Sequence, residues 1–284
     1  MPSQYVFGSQ GPKGPGKPLL TADTTFYLRQ DGNDTQTGAA NNIGEAWETL
    51  QHAFDWVAQN VSCNGYVVTF QLADGVISGY VSTATNVFKK PDGIIYIHGN
   101  ATNPENVIIT SVSGRCIGLG DSSPGYMVFI NNVTMQGGDV DDIGVNAIYS
   151  GSLITLGYDP LYLTPGTVRF TGTFNRLMFA DYGGSVEAYG TIRLAMSAAF
   201  SGLGHSAERS LVFIDLTSLI MDVAQSCDIY IRADRCSYLR YKAVSETGTF
   251  IGQKYMISSN SVLQQLTTVP GSIAGITLTG GQVI

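Results

Sequence analysis

Carboxylates, tyrosines and arginines alternate with apolar residues in two short stretches of this sequence, and those side chains could meet a polar ligand. In Cys227-Asp228-Ile229-Tyr230-Ile231-Arg232-Ala233-Asp234, the two-residue period of a strand predicts Cys227, Ile229, Ile231 and Ala233 facing in. Asp228, Tyr230, Arg232 and Asp234 then face out. Between Ser185 and Leu194 the same rule puts Val186, Ala188, Ile192 and Leu194 inside, with Glu187, Tyr189 and Arg193 outside. A ladder of this composition admits three readings: a solvated face, a seam between subunits, or a surface for sugars. Sugars suit it because an aromatic face stacks on C–H groups while Asp and Arg bond hydroxyls. Glu187, Tyr189, Tyr230 and Arg232 are the candidate glycan-binding residues on the third reading.

Cleavage of a glycan needs more. Glycoside hydrolysis uses two carboxylates about 5–5.5 Å apart for retention or about 6.5–9.5 Å for inversion. Strands stacked as rungs lie about 4.8 Å apart, so Asp159, Asp181, Glu187, Asp215, Asp222, Asp228 and Asp234 could supply a pair on nearby rungs. That geometry is permissive and singles out no two of them, so the catalytic residues stay unassigned. No Walker loop, dinucleotide fingerprint, nucleophile elbow or paired-histidine metal motif occurs. Gly118-Leu119-Gly120 and Gly202-Leu203-Gly204 read as turns. His52, His98 and His205 have no motif partners, and His98, ending Ile-Ile-Tyr-Ile, reads as structural. Asp139, Asp141 and Asp142 read as a loop rather than a calcium site. Cys63, Cys116, Cys227 and Cys236 lack the Cys-x-x-Cys spacing of zinc sites and read as buried free thiols, although Cys227 and Cys236 could meet on neighbouring coils. No metal or cofactor is expected.

The elements that must position these residues are short strands punctuated by Gly, Asn, Asp and Ser. Candidates are Tyr66–Leu72, Ile94–His98, Val107–Thr110, Tyr126–Met135, Leu153–Leu156, Thr167–Thr171, Ser185–Tyr189, Thr191–Leu194, Leu211–Leu216, Leu219–Val223 and Asp228–Arg232. Their lengths and turns suit the coils of a solenoid, and a β-sandwich would present the same alternation. One helix stands ahead of them. Ile43, Ala46, Trp47, Leu50, Ala53, Phe54, Val57, Ala58 and Val61 recur at three and four, predicting an amphipathic helix over Ile43–Asn60 with Asn42 as N-cap and Glu45 as its capping-box partner. Such a helix needs a surface, and the open first rung of a solenoid supplies one. Asp31 to Asp34 reads as an Asx-rich turn. An EF-hand loop would need Gly and Glu where Gln36 and Asn42 stand.

Tyr27-Leu28-Arg29-Gln30-Asp31-Gly32-Asn33-Asp34, the downstream Gly38, and Ala46-Trp47-Glu48-Thr49-Leu50-Gln51-His52-Ala53 resemble the start of the β-helix in phage tail-spike and tail-fibre proteins. In that family an N-terminal helix caps a right-handed parallel β-helix and three chains assemble. The resemblance implies an all-β fold: an extended attachment arm over 1–25, an opening strand and capping helix over 26–65, a β-helix over 66–246, and a trimerisation segment over 247–284. The last segment carries Lys254 as its only charge, and its Val269–Gly275 and Gly280-Gly281-Gln282 runs look like the C-terminal segment of trimeric fibres. The implied function is a virion appendage, assembled in the host cytoplasm, that adsorbs to host-surface glycan. A polysaccharide-degrading spike is the alternative, since many such spikes cleave polysaccharide, and a purely structural virion component is the third reading. The resemblance carries no catalytic motif onto particular residues, and the solenoid is short for a depolymerase. Other virion proteins would meet the arm.

The composition agrees with one large domain. The 284 residues include 34 Gly, 10 Pro and 15 Tyr, only 13% are charged, and the formal net charge is −7. A disordered chain would be more charged and poorer in aromatics. An acidic balance disfavours DNA or RNA as a partner. No apolar run approaches the ~20 residues of a membrane span, and Met1-Pro2-Ser3-Gln4 starts no signal peptide, so a soluble protein outside the usual secretory route is expected. Gly8, Gly11 and Gly14 recur at three, too briefly for a collagen helix.

Overall fold

Strands that stack coil on coil make up most of the chain. The computed structural model describes residues 17–81, 93–120, 127–149, 151–161 and 163–284. The glycine triplets and most of the expected arm lie outside those residues, as does Tyr126. β1 (Thr24–Leu28) and helix α1 (Leu50–Asn60) come first. One coil follows with β2 (Val67–Leu72), β3 (Gly75–Ser78) and β4 (Tyr80–Val81), and the next with β5 (Ile94–His98), β6 (Val107–Thr110) and β7 (Arg115–Leu119). The same three-strand visit repeats in β8 (Met127–Asn131), β9 (Val133–Gly138) and β10 (Ile143–Ile148), and in β11 (Leu153–Leu156), β12 (Thr167–Thr173) and β13 (Arg176–Asp181). It repeats again in β14 (Ser185–Ala188), β15 (Thr191–Met196) and β16 (Gly202–Ser206). The later coils are simpler: β17 (Leu211–Met221) with β18 (Gln225–Ala233), β19 (Tyr238–Thr247) with β20 (Phe250–Ile257), β21 (Val262–Gln265) with β22 (Ile276–Thr277), then β23 (Gln282–Val283).

Every named ladder is parallel. The first face runs β1-β2-β5-β8-β11-β14-β17-β19-β21-β23, and the second β3-β6-β9-β12-β15-β17. The two fuse where long β17 pairs β14 through its first half and β15 through its second. The third face is β4-β7-β10-β13-β16-β18-β20-β22. This is an all-β fold with long parallel sheets, like a parallel β-helix. β19 ends at Thr247 and β20 to β23 pair onto β18, β19, β20 and β21, so the segment after Thr247 continues the same stack.

Register explains the core. Val68, Ile95, Val128, Ile154, Val186, Val212, Leu239 and Leu263 are partners on successive rungs, and all are buried. On the second face Met135, Phe170 and Leu194 stack in the same way, and on the third Ile117, Val145 and Met178. Each rung's apolar face is covered by the rung above and below, which is how a coil too small for a core of its own acquires one.

Several expectations shift in detail. The helix is shorter than the period suggested, Leu50–Asn60, and its N-cap is Thr49, whose hydroxyl accepts from the His52 amide at 3.1 Å. Asn42 instead shapes a turn, its side chain accepting from the Gly44 amide, and Ile43 is 65% exposed. Ala46 and Trp47 are buried all the same, because Trp47 bridges to Leu28 as an extended residue beside β1. Trp47 Nε1 donates to the Gln36 carbonyl at 2.8 Å, and its ring stacks on Phe26. Gly32 and Gly38 make room for it: a Cβ on Gly32 would lie 2.3 Å from the Trp47 carbonyl oxygen, and Gly38, at φ +68, backs the indole. Asp34 does more than turn the chain, since its carboxylate accepts from the amides of Glu48 and Thr49 and from the Thr49 hydroxyl, securing the helix start. The helix lays Phe54 against Tyr80 of β4 (ring centroids 4.0 Å apart) and edge-on to Phe70 of β2.

The expected strand Tyr126–Met135 is two strands, broken at Asn132, which sits at φ +58. Leu211–Leu216 and Leu219–Val223 are one. Gly118-Leu119 and Gly202-Leu203-Gly204 belong to strands β7 and β16 rather than to turns. Cys63, Cys116 and Cys227 are buried free thiols while Cys236 is free and exposed, and burial pushes the thiols of Cys116 and Cys227 up. No helix among the described residues is long and apolar enough to cross a membrane.

Candidate functional site

Outward residues of the first face form a column in register: Thr69, Tyr96, Phe129, Thr155, Glu187, Phe213, Arg240 and Gln264. The loop between β11 and β12 folds back over its upper part. That loop holds itself with Tyr158 bridged to Pro165, and with Asp159 accepting from the Leu161 amide through its side chain and from the Leu163 amide through its carbonyl. Asp159 accepts from the Tyr96 hydroxyl at 3.1 Å, and Tyr158 lies near Phe129. Tyr96 and Phe129 are therefore buried on the outside of the sheet, in a small cluster with Val67. Burial, reinforced by the Asp159 charge, raises the Tyr158 hydroxyl, and burial lowers His98, which stacks on Tyr96.

Below the loop the column continues. Tyr158 and Tyr189 lie 5.7 Å apart, and the Tyr189 hydroxyl donates to Glu187 Oε2 at 3.0 Å. Phe213 and Tyr238 repeat the aromatic spacing at 5.7 Å, and Asp215 accepts from Arg240 at 3.0 Å and Lys242 at 3.1 Å. All of these side chains are half-buried. The result is a run of tilted, half-buried rings beside held carboxylates and cations, a composition that suits sugar C–H groups and hydroxyls.

The third face carries a different site. His205 and Arg232 are register partners on β16 and β18, and Arg176 on β13 partners Gly202. Asp234 takes both the Arg232 Nε–H at 2.9 Å and the His205 Nε2 at 3.2 Å. Arg176 lies over the Phe179 ring, 4.8 Å from its centroid, and has no ion pair among the described residues. These groups surround a hollow of about 150 Å³ lined by Arg176, Ser201, Gly202, Gly204, His205, Asp228, Ile229 and Arg232. Burial lowers His205 against the opposing pull of Asp234, and burial with the nearby Arg232 charge lowers Arg176. Asp234 falls below the usual carboxylate range: burial opposes this, but His205 and Arg232 outweigh it. Burial raises Asp181, which ends the strand that carries Arg176.

Of the four candidate glycan residues, Glu187 and Tyr189 are together on the first face, and Arg232 is on the third. Tyr230 is not outward at all. It is 0% exposed, its ring edge-on to Phe250 at 4.4 Å and its hydroxyl 3.5 Å from that of Tyr241. The reason is local: the β18–β20 register shifts between Ser226 and Ile229, and third-face strands place two consecutive residues inward at their corner. Leu177 with Met178, and Leu203 with Gly204, show the same double burial that Tyr230 shows with Ile231.

The carboxylates proposed for cleavage fall into several groups. Asp222 holds Arg169 and Arg193, Asp215 holds Arg240 and Lys242, Asp159 and Glu187 belong to the first face, and Asp181, Asp228 and Asp234 to the third, where Asp228 borders the hollow and Asp234 holds Arg232. Asp142 is buried and takes the Ser111 hydroxyl and the Gly138 and Asp139 amides, so its acidic run is a knotted turn. Among the described residues no three His, Cys, Asp or Glu gather into a metal site. Sequence reasoning missed the partnership of His205 with Asp234, which lie 29 positions apart and offer no signal without the register. It also missed Tyr149 and Tyr182, exposed and stacked at 5.7 Å on successive turns. No family model matches the chain, and neither a curated protein nor a solved structure matches it.

Proposed function

We propose that this protein is a trimeric virion appendage of the tail-spike or tail-fibre kind, a right-handed β-helix capped by α1, that adsorbs to host-surface glycan without cutting it. The observation that carries the reading is the pair of half-buried rings on the first face, Tyr158 and Tyr189, 5.7 Å apart beside Glu187. Tyr158, Tyr189 and Tyr238 are half-buried rings along the outside of the sheet, and such rings suit the C–H faces of an extended polysaccharide. The resemblance of Tyr27–Asp34 and Ala46–Ala53 to spike proteins supplies the biological setting. Exposed apolar residues near the C-terminal end, among them Leu266, Ile276, Leu278 and Ile284, support assembly into a trimer there.

Adsorption tests it. Tyr189→Ala should weaken binding to cells of a susceptible host by about tenfold, as loss of one stacked ring would. Its stability should fall by only about 1–2 kcal/mol, from the lost half-buried ring and its bond to Glu187, leaving the chain folded in the assay. Undiminished adsorption by Tyr189→Ala, or by Tyr189→Ala combined with Tyr158→Ala, would remove these rings from the function.

A further inference from the structure

We propose that the hollow on the third face is a second, separate site, which binds the carboxylate and adjacent hydroxyls of an acidic sugar such as a hexuronate. Arg176 and Arg232 bring two cations to one small space, and only Arg232 has a carboxylate partner there, through Nε alone. The terminal nitrogens of the Arg232 fork and the whole Arg176 guanidinium keep donors in the geometry that clasps a carboxylate. Asp234 partners one of these two charges and Asp228 borders the hollow, while Arg176 is left without an ion pair among the described residues.

Asp228 says what accompanies the anion. Exposed at the same hollow, its carboxylate offers an acceptor for hydroxyls while repelling a bare anion such as sulfate, which has no hydroxyl to donate. His205 borders the hollow as well; Asp234, a carboxylate held by Arg232, can only accept, so the His205 Nε2 that faces it is the protonated nitrogen and holds the ring in place. Gly202 puts no side chain on the floor, and a Cβ there would stand 2.7 Å from the Ile229 carbonyl oxygen. The hollow, at about 150 Å³, is smaller than the ~300–1,000 Å³ of sites for drug-sized ligands and fits one sugar unit. Attribution of that unit to a host glycan rests on the adsorption reading; the chemistry of the hollow does not.

Calorimetric titration of the full chain with glucuronate, glucose, gluconate, sulfate and a glucuronate-containing tetrasaccharide tests this. Glucuronate should bind at least tenfold more tightly than glucose or sulfate, and should perturb the imidazole resonances that His205→Gln removes. Tetrasaccharide binding tighter than gluconate would assign the source to glycan; the reverse order would overturn the sugar assignment. Arg176→Gln, which breaks no ion pair, should cost tenfold or more, and Asp228→Asn should narrow the preference for glucuronate over sulfate. Arg232→Lys keeps the charge beside Asp234 and should still weaken binding, because the fork is lost. Equal affinity for sulfate and glucuronate, or an unchanged Arg176→Gln, overturns the proposal. Tyr189→Ala should leave glucuronate binding intact. Loss of cell adsorption in Tyr189→Ala with glucuronate binding retained thus separates the two sites, and glucuronate binding by a protein that adsorbs to no cell would sink the proposed function alone.

Discussion

Replacing Trp47 by Ala would remove the centre of the N-terminal unit. The indole is 0% exposed, stacked on Phe26 at 4.8 Å, tilted against Trp56 at 5.3 Å and edge-on to His52. Truncating a fully buried Trp costs about 3–5 kcal/mol from lost transfer energy and the cavity left behind. The cavity here cannot collapse easily, because Gly32 and Gly38 are already packed against the residue and offer no side chain to fill it. The orphaned Gln36 carbonyl adds little, since that residue is only half-buried and water can reach it. The upper part of the range is therefore expected. Trp56, on helix α1 and packed against the indole, becomes the sole tryptophan in the variant and reports locally through its fluorescence. Urea unfolding followed at Trp56 should shift to a lower midpoint with little change in slope. Trp47→Phe, which keeps a stacked ring and loses the Nε1 bond, should fall between wild type and Ala. A Trp47→Ala loss below about 1 kcal/mol would mean the indole is not a core residue, and the account of why Gly32, Asp34 and Gly38 are spaced as they are would fail with it.

Three further outcomes follow from other parts of the molecule. Tyr230→Ala should destabilise by about 3–5 kcal/mol as a core truncation, while Tyr230→Phe loses only the weak bond to Tyr241 and should cost about 1 kcal/mol; a neutral Tyr230→Ala melt would return that residue to the surface. His98 and His205 both titrate lower in the folded chain than the unfolded value near 6.5, so the unfolded state takes up protons first as pH falls. Their contribution is complete above about 6.5 and is lost as pH drops through the folded values; melting temperature between pH 7.5 and 5 should fall, and fall less in a His98→Gln, His205→Gln variant. Light scattering should give a trimer, and Leu278→Asp with Ile284→Asp should dissociate it without unfolding, since both side chains are exposed in the single chain. Truncation near Ser245 would be a poor version of that test, because Phe250, Ile257, Leu263 and Val269 are core residues.

Two faces of the solenoid were legible and one was nearly invisible, for a physical reason. Strands of the first and second faces, such as Ile94–His98, Val107–Thr110 and Leu153–Leu156, carry apolar residues on the two-residue period, bounded by turn residues. Third-face strands read Arg-Cys-Ile-Gly-Leu, Ile-Gly-Val-Asn-Ala-Ile and Gly-Leu-Gly-His-Ser. Their inward positions include Gly144 and Gly204, which lie against Phe170 and Ile214 of the second and first faces. Large residues on two faces fill the interior, so the third can approach closely only with small ones. A strand whose core residue is glycine has no hydrophobic signature, and its pairing partner is some thirty residues away. The helix was misjudged for a related reason: Ala46 and Trp47 are buried by a β-bridge, and burial alone extended a helical period across residues that are not helical.

The site was legible only where alternation held. Glu187 and Tyr189 lie on β14 and just past its end, a strand paired without irregularity on both sides, and the outward assignment made from the sequence is where the structure puts them. Tyr230 sits one residue past a register shift between Ser226 and Ile229, and one extra residue in a strand exchanges its inner and outer sets. The same shift explains why Arg232 remained correctly outward: beyond the corner, Ile231, Arg232 and Ala233 resume the pattern and carry Arg232 beside His205. A corner that turns two residues inward thus costs the first face nothing and gives the third face its hollow. With Leu203 and Tyr230 turned into the core, Gly202 and Ile229 line a floor with no bulky outward neighbour, and Arg176, His205 and Arg232 stand around it. Filling that floor should close the hollow without disturbing the core. Ser201→Trp, on a half-buried lining residue, should abolish glucuronate binding while the melting temperature and Tyr189-dependent adsorption stay at wild-type values; retained glucuronate binding would show that the sugar sits elsewhere.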